Sequence, residues 1–335
     1  MNMNSFRGFK RIEWAIGAGC LMAALAAGAQ AAPVPLTPGT PTLLPGTHDG
    51  FDFIQMDTNA GRLLLGHEGN KSFDVFDIAT RKLLKVVPTS TSQDAAVDTK
   101  RGFYYVSGND PSRMVIVDSK TLEVAGEAPT PANTDLIGFN PQTGLVYECN
   151  DTAAEVWVID PKAKKIVTTI KLDGSGVEDL AFDPEYKHLY QAVKGKNTVA
   201  VIDPANNQVT AAWPCAPDKG VHGIAMVPES DGLLVACAGK LVLFDRSTGK
   251  VTARAPIGAR VDEMTYDPGL HTAYCASRQG NISVVEVAAG KLTPLGEVPD
   301  AAGTGDITVD PKTHTVWIAY KKGEECFVQP FTPAK

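Results

Sequence analysis

Between residues 180 and 213 the chain alternates apolar and polar positions with a period of two, which is typical of β-strands. In the run from Val199 to Asp203, successive side chains therefore point to opposite faces of a strand. Glycine, proline and asparagine separate the alternating runs, so the stretch is predicted to form four short strands joined by turns. Such a unit cannot bury both of its faces alone, and it predicts neighbours of the same kind.

The same pattern recurs seven times, with a period of about 40–45 residues. Three columns of equivalent positions define the repeat: a Pro or Thr after the first strand, a mainly aromatic position in the second strand, and an acid that ends the third strand in six of the seven units. The first column is Thr58, Thr99, Pro141, Pro184, Pro228, Pro268 and Pro311. Four strands at this spacing are typical of propeller blades, so we predict an all-β, seven-bladed β-propeller of four-stranded blades. The acids of the third column are expected to accept hydrogen bonds from the turn that follows.

Three strands carry a resemblance to a known family. The runs Val199–Asp203, Val156–Asp160 and Met114–Asp118 each follow an apolar-Tyr strand, and this arrangement resembles the YVTN-repeat β-propellers of the secreted bacterial YncE-like kind. The resemblance extends from Phe51 to the C-terminus and implies seven blades. It implies much less about activity, because propellers support many unrelated functions.

The N-terminal residues 1–31 are predicted to be a signal peptide. Arg7, Lys10 and Arg11 precede an apolar segment from Trp14 to Ala29, and a small-x-small cleavage signal ends at residue 31. We therefore expect a periplasmic or secreted protein with no membrane span after cleavage, in a compartment where disulfides can form.

The seventh repeat lacks an outer strand, because only four residues follow the strand predicted at Cys326–Phe331. A ring with an open edge exposes unpaired backbone groups. Residues 32–50 are therefore predicted to be an extended lead-in that contributes a strand, at Thr40–Leu44, to close the last blade. Residues 51–335 then form the propeller.

Five cysteines follow the leader, so at least one is expected to be free. Cys149 and Cys237 occupy a column of small residues and are interpreted as core residues of separate blades. The pairing of the five is left open by the sequence.

Acidic residues recur where each inner strand enters the ring. Counting back four or five residues from the column that contains Asp183 gives an acid or a histidine in every repeat, near the mouth of the central channel. These candidates are Asp52, Asp94, Asp135, Glu178 with Asp179, His222, Asp262 with Glu263, and Asp306. Loops between the second and third strands share this face, which we call the top face, and they supply a possible basic rim: His67, Lys194, Lys196, Arg278 and Lys321. The alternative is that the acids cap turns and the basic residues are merely solvated.

Two functional hypotheses follow. Crowded carboxylates repel one another and are neutralised by hard cations, so the ring is a candidate Ca²⁺ or Mg²⁺ site. The architecture is similar to that of gluconolactonase-like and virginiamycin B lyase-like propellers, which hold a metal in the channel, and this analogy implies a metal-assisted lactonase or lyase. The chain has no recognised catalytic motif, which favours a monomeric binding scaffold with a protein, peptide or small-molecule ligand on the top face. A formal net charge of −7 argues against general nucleic-acid binding.

Overall fold

The computed structural model describes residues 35–150, 152–183, 185, 187–301 and 303–334. These residues form seven antiparallel sheets, and among them the only helical segment is a single 3-10 turn at Pro228–Ser230. The predicted seven-bladed β-propeller is thereby confirmed. The predicted leader, residues 1–31, lies outside the described residues. No helix in the described ranges is long and apolar enough to cross a membrane.

The strands follow the chain in order, four to each of blades 1 to 6, and the N-terminal strands complete blade 7. Two short strands, β1 (Leu36–Pro38) and β2 (Thr42–Leu43), precede the first blade. Blade 1 consists of β3 (Ile54–Asp57), β4 (Arg62–His67), β5 (Ser72–Asp77) and β6 (Lys82–Pro88). Blade 2 consists of β7 (Thr91–Asp98), β8 (Phe103–Asn109), β9 (Arg113–Asp118) and β10 (Val124–Pro129). Blade 3 consists of β11 (Thr134–Asn140), β12 (Leu145–Asn150), β13 (Glu155–Asp160) and β14 (Lys165–Lys171). Blade 4 consists of β15 (Val177–Phe182), β16 (Leu189–Val193), β17 (Thr198–Asp203) and β18 (Gln208–Pro214). Blade 5 consists of β19 (Ile224–Val227), β20 (Gly232–Cys237), β21 (Lys240–Asp245) and β22 (Lys250–Pro256). Blade 6 consists of β23 (Val261–Asp267), β24 (Thr272–Ser277), β25 (Asn281–Ala288) and β26 (Lys291–Pro299). Blade 7 consists of β27 (Asp306–Asp310), β28 (Thr315–Lys322) and β29 (Glu325–Pro333).

The N-terminal segment closes the ring, as the missing outer strand predicted. β1 pairs antiparallel with the end of β29, and β2 pairs with its first half. The pairing begins at Leu36, earlier than the predicted Thr40, because two separate strands share the role. The backbone N–H of Leu44 also donates to the Cys326 carbonyl at 2.8 Å. Both ends of the described chain are therefore held in one blade.

Aromatic side chains of the second strands fill the seams between blades. Tyr104 and Tyr147 are buried, yet each hydroxyl reaches a polar group of a neighbouring blade. Tyr104 Oη donates to Asp57 Oδ2 at 2.7 Å, and Tyr147 Oη lies 2.8 Å from Asn207 Oδ1. A buried phenol needs such a partner, so these bonds help to set the orientation of neighbouring blades.

The acids that end the third strands bind the turns that follow them, as predicted. In blade 2, for example, Asp118 Oδ1 accepts the backbone N–H of Thr121 at 2.8 Å. The same arrangement occurs at Asp77, Asp160, Asp203 and Asp245. This column therefore has an architectural role.

The five cysteines of the described chain are buried free thiols. Cys149 and Cys237 lie in blades 3 and 5, which confirms their interpretation as core residues of separate blades. Hydrogen bonding with the Cys215 thiol, together with burial, raises the pKa of Cys237. Cys215 and Cys237 are therefore neighbours at the seam of blades 4 and 5.

Candidate ligand site at the channel mouth

The predicted ring of acids occupies two adjacent positions of each repeat. The first position lies five residues before the column that contains Asp183, and its residues are Asp52, Gln93, Asp135, Glu178, His222, Asp262 and Gly305. The second position follows it and contains Phe53, Asp94, Leu136, Asp179, Gly223, Glu263 and Asp306. In blades 2, 3, 4 and 6 the strand register shifts at this point. A bulge inserts an unpaired residue and re-aims side chains, so strand alternation alone does not assign these positions to one face.

Three carboxylates at the second position bind neighbouring blades together. Asp94, Asp179 and Glu263 each accept a backbone N–H from the inner strand of the next blade. The donors are, in order, Ile137 at 3.2 Å, Ile224 at 2.7 Å and Ile307 at 2.6 Å. These bonds connect blades 2 and 3, blades 4 and 5, and blades 6 and 7. These acids therefore have a structural role, although it is a link between blades and not the turn capping considered in the sequence analysis.

Burial strongly affects the ionisation of the same three acids. It raises the pKa of Asp94 and of Asp179 to about 7, although both accept stabilising backbone hydrogen bonds. It also raises the pKa of Glu263 well above the ordinary value, and the nearby Asp306 carboxyl adds to the effect. The channel wall therefore carries less negative charge at neutral pH than its composition suggests.

The first position of blades 4 to 6 forms a continuous chain of polar contacts. Lys194 Nζ lies 3.0 Å from Glu178 Oε1 and 2.7 Å from His222 Nε2. His222 Nδ1 lies 3.3 Å from Glu178 Oε2 and 3.7 Å from Asp262 Oδ1. Arg278 Nε donates to Asp262 Oδ2 at 2.7 Å. This side of the channel mouth is therefore neutralised by its own side chains.

The contacts of His222 define its protonation. Burial lowers the pKa of the imidazole despite the two nearby carboxylates, so the ring is neutral near pH 7. The Lys194 ammonium can only donate, which makes Nε2 the acceptor and leaves the ring proton on Nδ1, towards Glu178 and Asp262.

An open pocket of about 360 Å³ lies beside this chain, between blades 6, 7 and 1. Its walls include Phe51, Arg278, Tyr320 and Lys321, and its polar end is formed by Thr304 and Asp306. Among the described residues, Thr304 Oγ1 and Asp306 Oδ1 have no hydrogen-bond partner, although both side chains are buried. Unsatisfied buried polar atoms are rare in native proteins, so these two atoms are suited to receive a ligand.

The ionisation of Asp306 depends on its neighbours. Burial, followed by the negative charges of Asp52 and Asp262, raises the pKa of Asp306 well above its ordinary value, and Arg278 opposes this only in part. Burial and the Glu68 carboxylate also raise the pKa of Asp52, to about 8. A positive group entering the pocket would reverse these shifts, because it favours the charged form of each acid.

The remaining predicted residues lie apart from this pocket or at its edge. Asp52 accepts a hydrogen bond from Gln93 Nε2 at 2.7 Å. Asp135 is half-buried, and its backbone carbonyl accepts the Ser107 hydroxyl at 2.7 Å. On the rim, Lys321 pairs with Asp49 at 2.9 Å and Lys196 with Asp173 at 3.2 Å, and all four side chains are largely exposed.

The interpretation of His67 as part of an exposed basic rim is wrong, because its side chain is fully buried. Its ring stacks on Phe51, its Nδ1 lies 2.7 Å from Asp74 Oδ2, and its Nε2 lies 3.7 Å from Cys326 Sγ. Burial opposes the charged form, but the hydrogen bonds with Asp74 and Cys326 prevail and raise the pKa of His67 to about 9. His67 is thus a buried cation at the seam between blades 7 and 1.

Sequence reasoning missed Phe51, Thr304 and Tyr320, the uncharged residues of the pocket with an aromatic ring or a hydroxyl group. The available signal was their closeness in sequence to Asp52, Asp306 and Lys321. Within the described ranges, no group of three or more His, Cys, Asp or Glu side chains could hold a metal ion. The predicted Ca²⁺ or Mg²⁺ therefore still rests on the sequence alone.

The seven closed blades and the residues around their channel define the chain as a seven-bladed β-propeller scaffold. No family model matches the chain. Its sequence is similar to that of an uncharacterized protein, YncE, from Salmonella typhimurium, with 24% identity over 151 residues. The similarity covers 43% of this chain and 42% of the relative, so the chain matches less than half of that protein's length.

Solved structures share the fold at low sequence identity. The hydrazine synthase of Kuenenia stuttgartiensis matches with a TM-score of 0.73 and 16% identity, over 83% of this chain and 96% of that one. U3-55K matches with a TM-score of 0.73 and 11% identity, over 87% and 98%. At these identities the likeness concerns the fold alone.

Proposed function

We propose that this protein is an exported binding scaffold that holds a small amine ligand in the pocket between blades 6, 7 and 1. The observation that carries the proposal is the pair of unpartnered polar atoms, Asp306 Oδ1 and Thr304 Oγ1, at the polar end of an open pocket. Concave sites with a few converging polar groups are the usual form of small-molecule sites.

The acids around the pocket favour a cationic ligand, because the two bases in its wall, Arg278 and Lys321, are already paired with Asp262 and Asp49. Asp52, Asp262 and Asp306 affect one another electrostatically, and Arg278 is the positive group that acts on all three of them. Arg278 is already bound to Asp262. A protonated amine would donate to Asp306 and Thr304, and the positive charge would stabilise the ionised form of Asp306.

The walls of the pocket suit the rest of such a ligand. Phe51 and Tyr320 present aromatic surface beside the polar end. Aromatic rings both shelter an apolar body and attract a cation to their faces. The proposed ligand class is therefore an amine attached to a compact apolar group, including the amino terminus or a basic side chain of a peptide.

Calorimetric titration with phenethylamine tests this ligand class, with 2-phenylethanol and 3-phenylpropionate as neutral and anionic controls. We expect phenethylamine alone to bind, and Asp306→Asn to weaken binding about 10- to 100-fold, the loss of one charge-assisted hydrogen bond. Asp173→Asn removes the same charge from an exposed side chain and should leave binding unchanged. Equal binding of 2-phenylethanol, or an unaltered affinity in Asp306→Asn, refutes the proposal.

Export is the second part of the proposal and is supported by the sequence of residues 1–31. N-terminal sequencing of the protein from the periplasmic fraction of a bacterial host should give a mature chain that begins at Ala32. Retention of the intact leader in the cytoplasm would exclude export without affecting the ligand experiment.

A further inference from the structure

A second cavity, of about 280 Å³, lies between blades 2 and 3 on the bottom face, the face with the turns that join the third and fourth strands. Its walls are the apolar parts of Phe103, Tyr105, Ile116 and Ala125. Its rim carries three basic residues: Arg101, Lys162 and Lys164. It lies on the opposite face from the amine pocket and shares no residue with it.

The cavity arises at a bulge in the outer strand of blade 2. Val124 pairs with Val117 and Gly126 with Ile116, so Ala125 is the unpaired residue of the bulge. Blades 1, 3, 4, 5 and 6 have a bulge at the equivalent place, where the extra residues are Leu84, Val167, Thr210, Thr252 and Leu295. Alanine is the smallest member of this group, and the larger side chains of Leu84, Val167 and Leu295 are exposed. Ala125 therefore covers less of the surface beside the bulge than a larger residue would.

Gly126 makes room for the side chain of Lys164. A Cβ atom on this residue would overlap the Nζ and Cε atoms of Lys164, so the lysine would have to move aside. The Lys164 side chain therefore lies directly over the bulge. Its Nζ is 3.4 Å from the Ala125 carbonyl oxygen, a long and weak hydrogen bond.

The positive charge at this rim is poorly compensated. Arg101 pairs with Asp98 at 3.2 Å and also contacts the Gly144 carbonyl. Lys162 and Lys164 make no ion pair with any residue of the described ranges. In a chain with a formal net charge of −7, two unpaired lysines over an apolar cavity are complementary to an anion with an apolar body.

We propose that this cavity binds a small amphiphilic carboxylate. The apolar body would lie against Phe103, Ile116 and Ala125, and the carboxylate would accept hydrogen bonds from Lys162 and Lys164. The volume is just below the range of about 300–1,000 Å³ that is common for small-molecule pockets, which favours a compact ligand such as a medium-chain fatty acid. Burial of an alkyl chain supplies the affinity, and the lysines select the charge.

The repeat itself supplies a sharp variant. Leucine stands at the bulge of blades 1 and 6, so Ala125→Leu should be accepted by the backbone while it places a larger side chain at the cavity wall. Lys162→Gln with Lys164→Gln removes the anion-binding groups and leaves the cavity open. Lys165→Gln is the matched charge control, because Lys165 is exposed, adjacent to Lys164 and absent from the cavity wall.

Calorimetric titration of the full chain with octanoate, octan-1-ol and octylamine tests the proposal, with melting temperatures to verify that each variant folds. We expect octanoate to bind most tightly and to lose about tenfold or more in affinity in Ala125→Leu and in the double lysine variant. Lys165→Gln should bind like the parent. Equal binding of octan-1-ol, or octanoate affinity that survives the double lysine variant, would overturn the proposal even if Ala125→Leu failed to fold.

Discussion

The closing segment offers the most direct test of the architecture, because two of its leucines are buried and one is not. Leu36 and Leu44 are 0% and 1% exposed, whereas Leu43, beside Leu44, is 43% exposed. Leu36 packs in the cluster between blades 6 and 7, and Leu44 packs in the cluster between blades 7 and 1. Substitutions at these three positions therefore distinguish the effect of losing a buried leucine from the effect of losing an exposed one.

Replacing a buried leucine by alanine costs about 2–5 kcal/mol of unfolding free energy, through lost transfer energy and the cavity left behind. We expect this loss for Leu36→Ala and for Leu44→Ala, and about 0.5 kcal/mol or less for Leu43→Ala. At about 2 °C per kcal/mol for a chain of this size, each buried variant should melt roughly 4–10 °C lower. The two clusters share no member, so the double variant should be close to additive.

Urea unfolding followed by tryptophan fluorescence is the suitable assay, because Trp317 belongs to the same cluster as Leu44. The slope of the unfolding free energy against urea should not change, which would show that stability alone is altered. Equal midpoints for Leu44→Ala and Leu43→Ala would refute the closing role of the second strand. Equal midpoints for Leu36→Ala and the parent would refute that of the first.

Three further results are expected. Stability should fall as pH rises from about 5 to 9, because Asp94, with its pKa raised to about 7, and His67, with its pKa raised to about 9, hold more protons in the folded state than in the unfolded state. Each extra proton bound by the folded state changes the unfolding free energy by about 1.4 kcal/mol per pH unit. A urea midpoint that does not change across this range would contradict the assignment. Asp74→Asn should cost about 3–5 kcal/mol of unfolding free energy, because it leaves His67 buried without its counter-charge. Loss of an exposed pair in Asp110→Asn should leave the melting temperature almost unchanged, and similar melting temperatures for the two variants would contradict this. Oxidation of the folded protein by oxidised glutathione should join Cys215 to Cys237 before any other pair, which peptide mapping would verify; a different first pair would show that the two thiols are not in contact.

The blades could be predicted from the sequence because their determinants are local. Alternation over five or six residues, such as Val199–Asp203, and a turn acid every 40–45 residues report on strands that pair with their immediate neighbours. The closing segment was found by a different argument, the lack of an outer strand after β29. Its first strand, Leu36–Pro38, was missed because a stretch rich in proline and threonine shows no alternation.

The site was less predictable, because bulges and distant pairs decide it. Glu178 and Asp179 are neighbours in sequence, yet one joins an ion-pair chain and the other binds the next blade. The register shift between Val177 and Leu180 separates them, and nothing in the alternation of that strand announces it. His67 was misassigned because its partner Asp74 lies on the adjacent strand, and only their pairing makes burial of a cation possible.

A ring of seven blades cannot carry a strict alternation of two kinds of residue. From blade 1 to blade 6 the second position alternates between a residue without a carboxylate and one with it, and each carboxylate reaches the blade that follows. An even number of blades could continue this alternation around the circle, but an odd number must place two like neighbours together. Here the two like neighbours are Glu263 and Asp306, acids in adjacent blades whose negative charges repel each other. Asp306 is the one left with an unpartnered oxygen among the described residues of the second position. The proposed ligand pocket therefore opens at the one place where the symmetry of the ring cannot be satisfied.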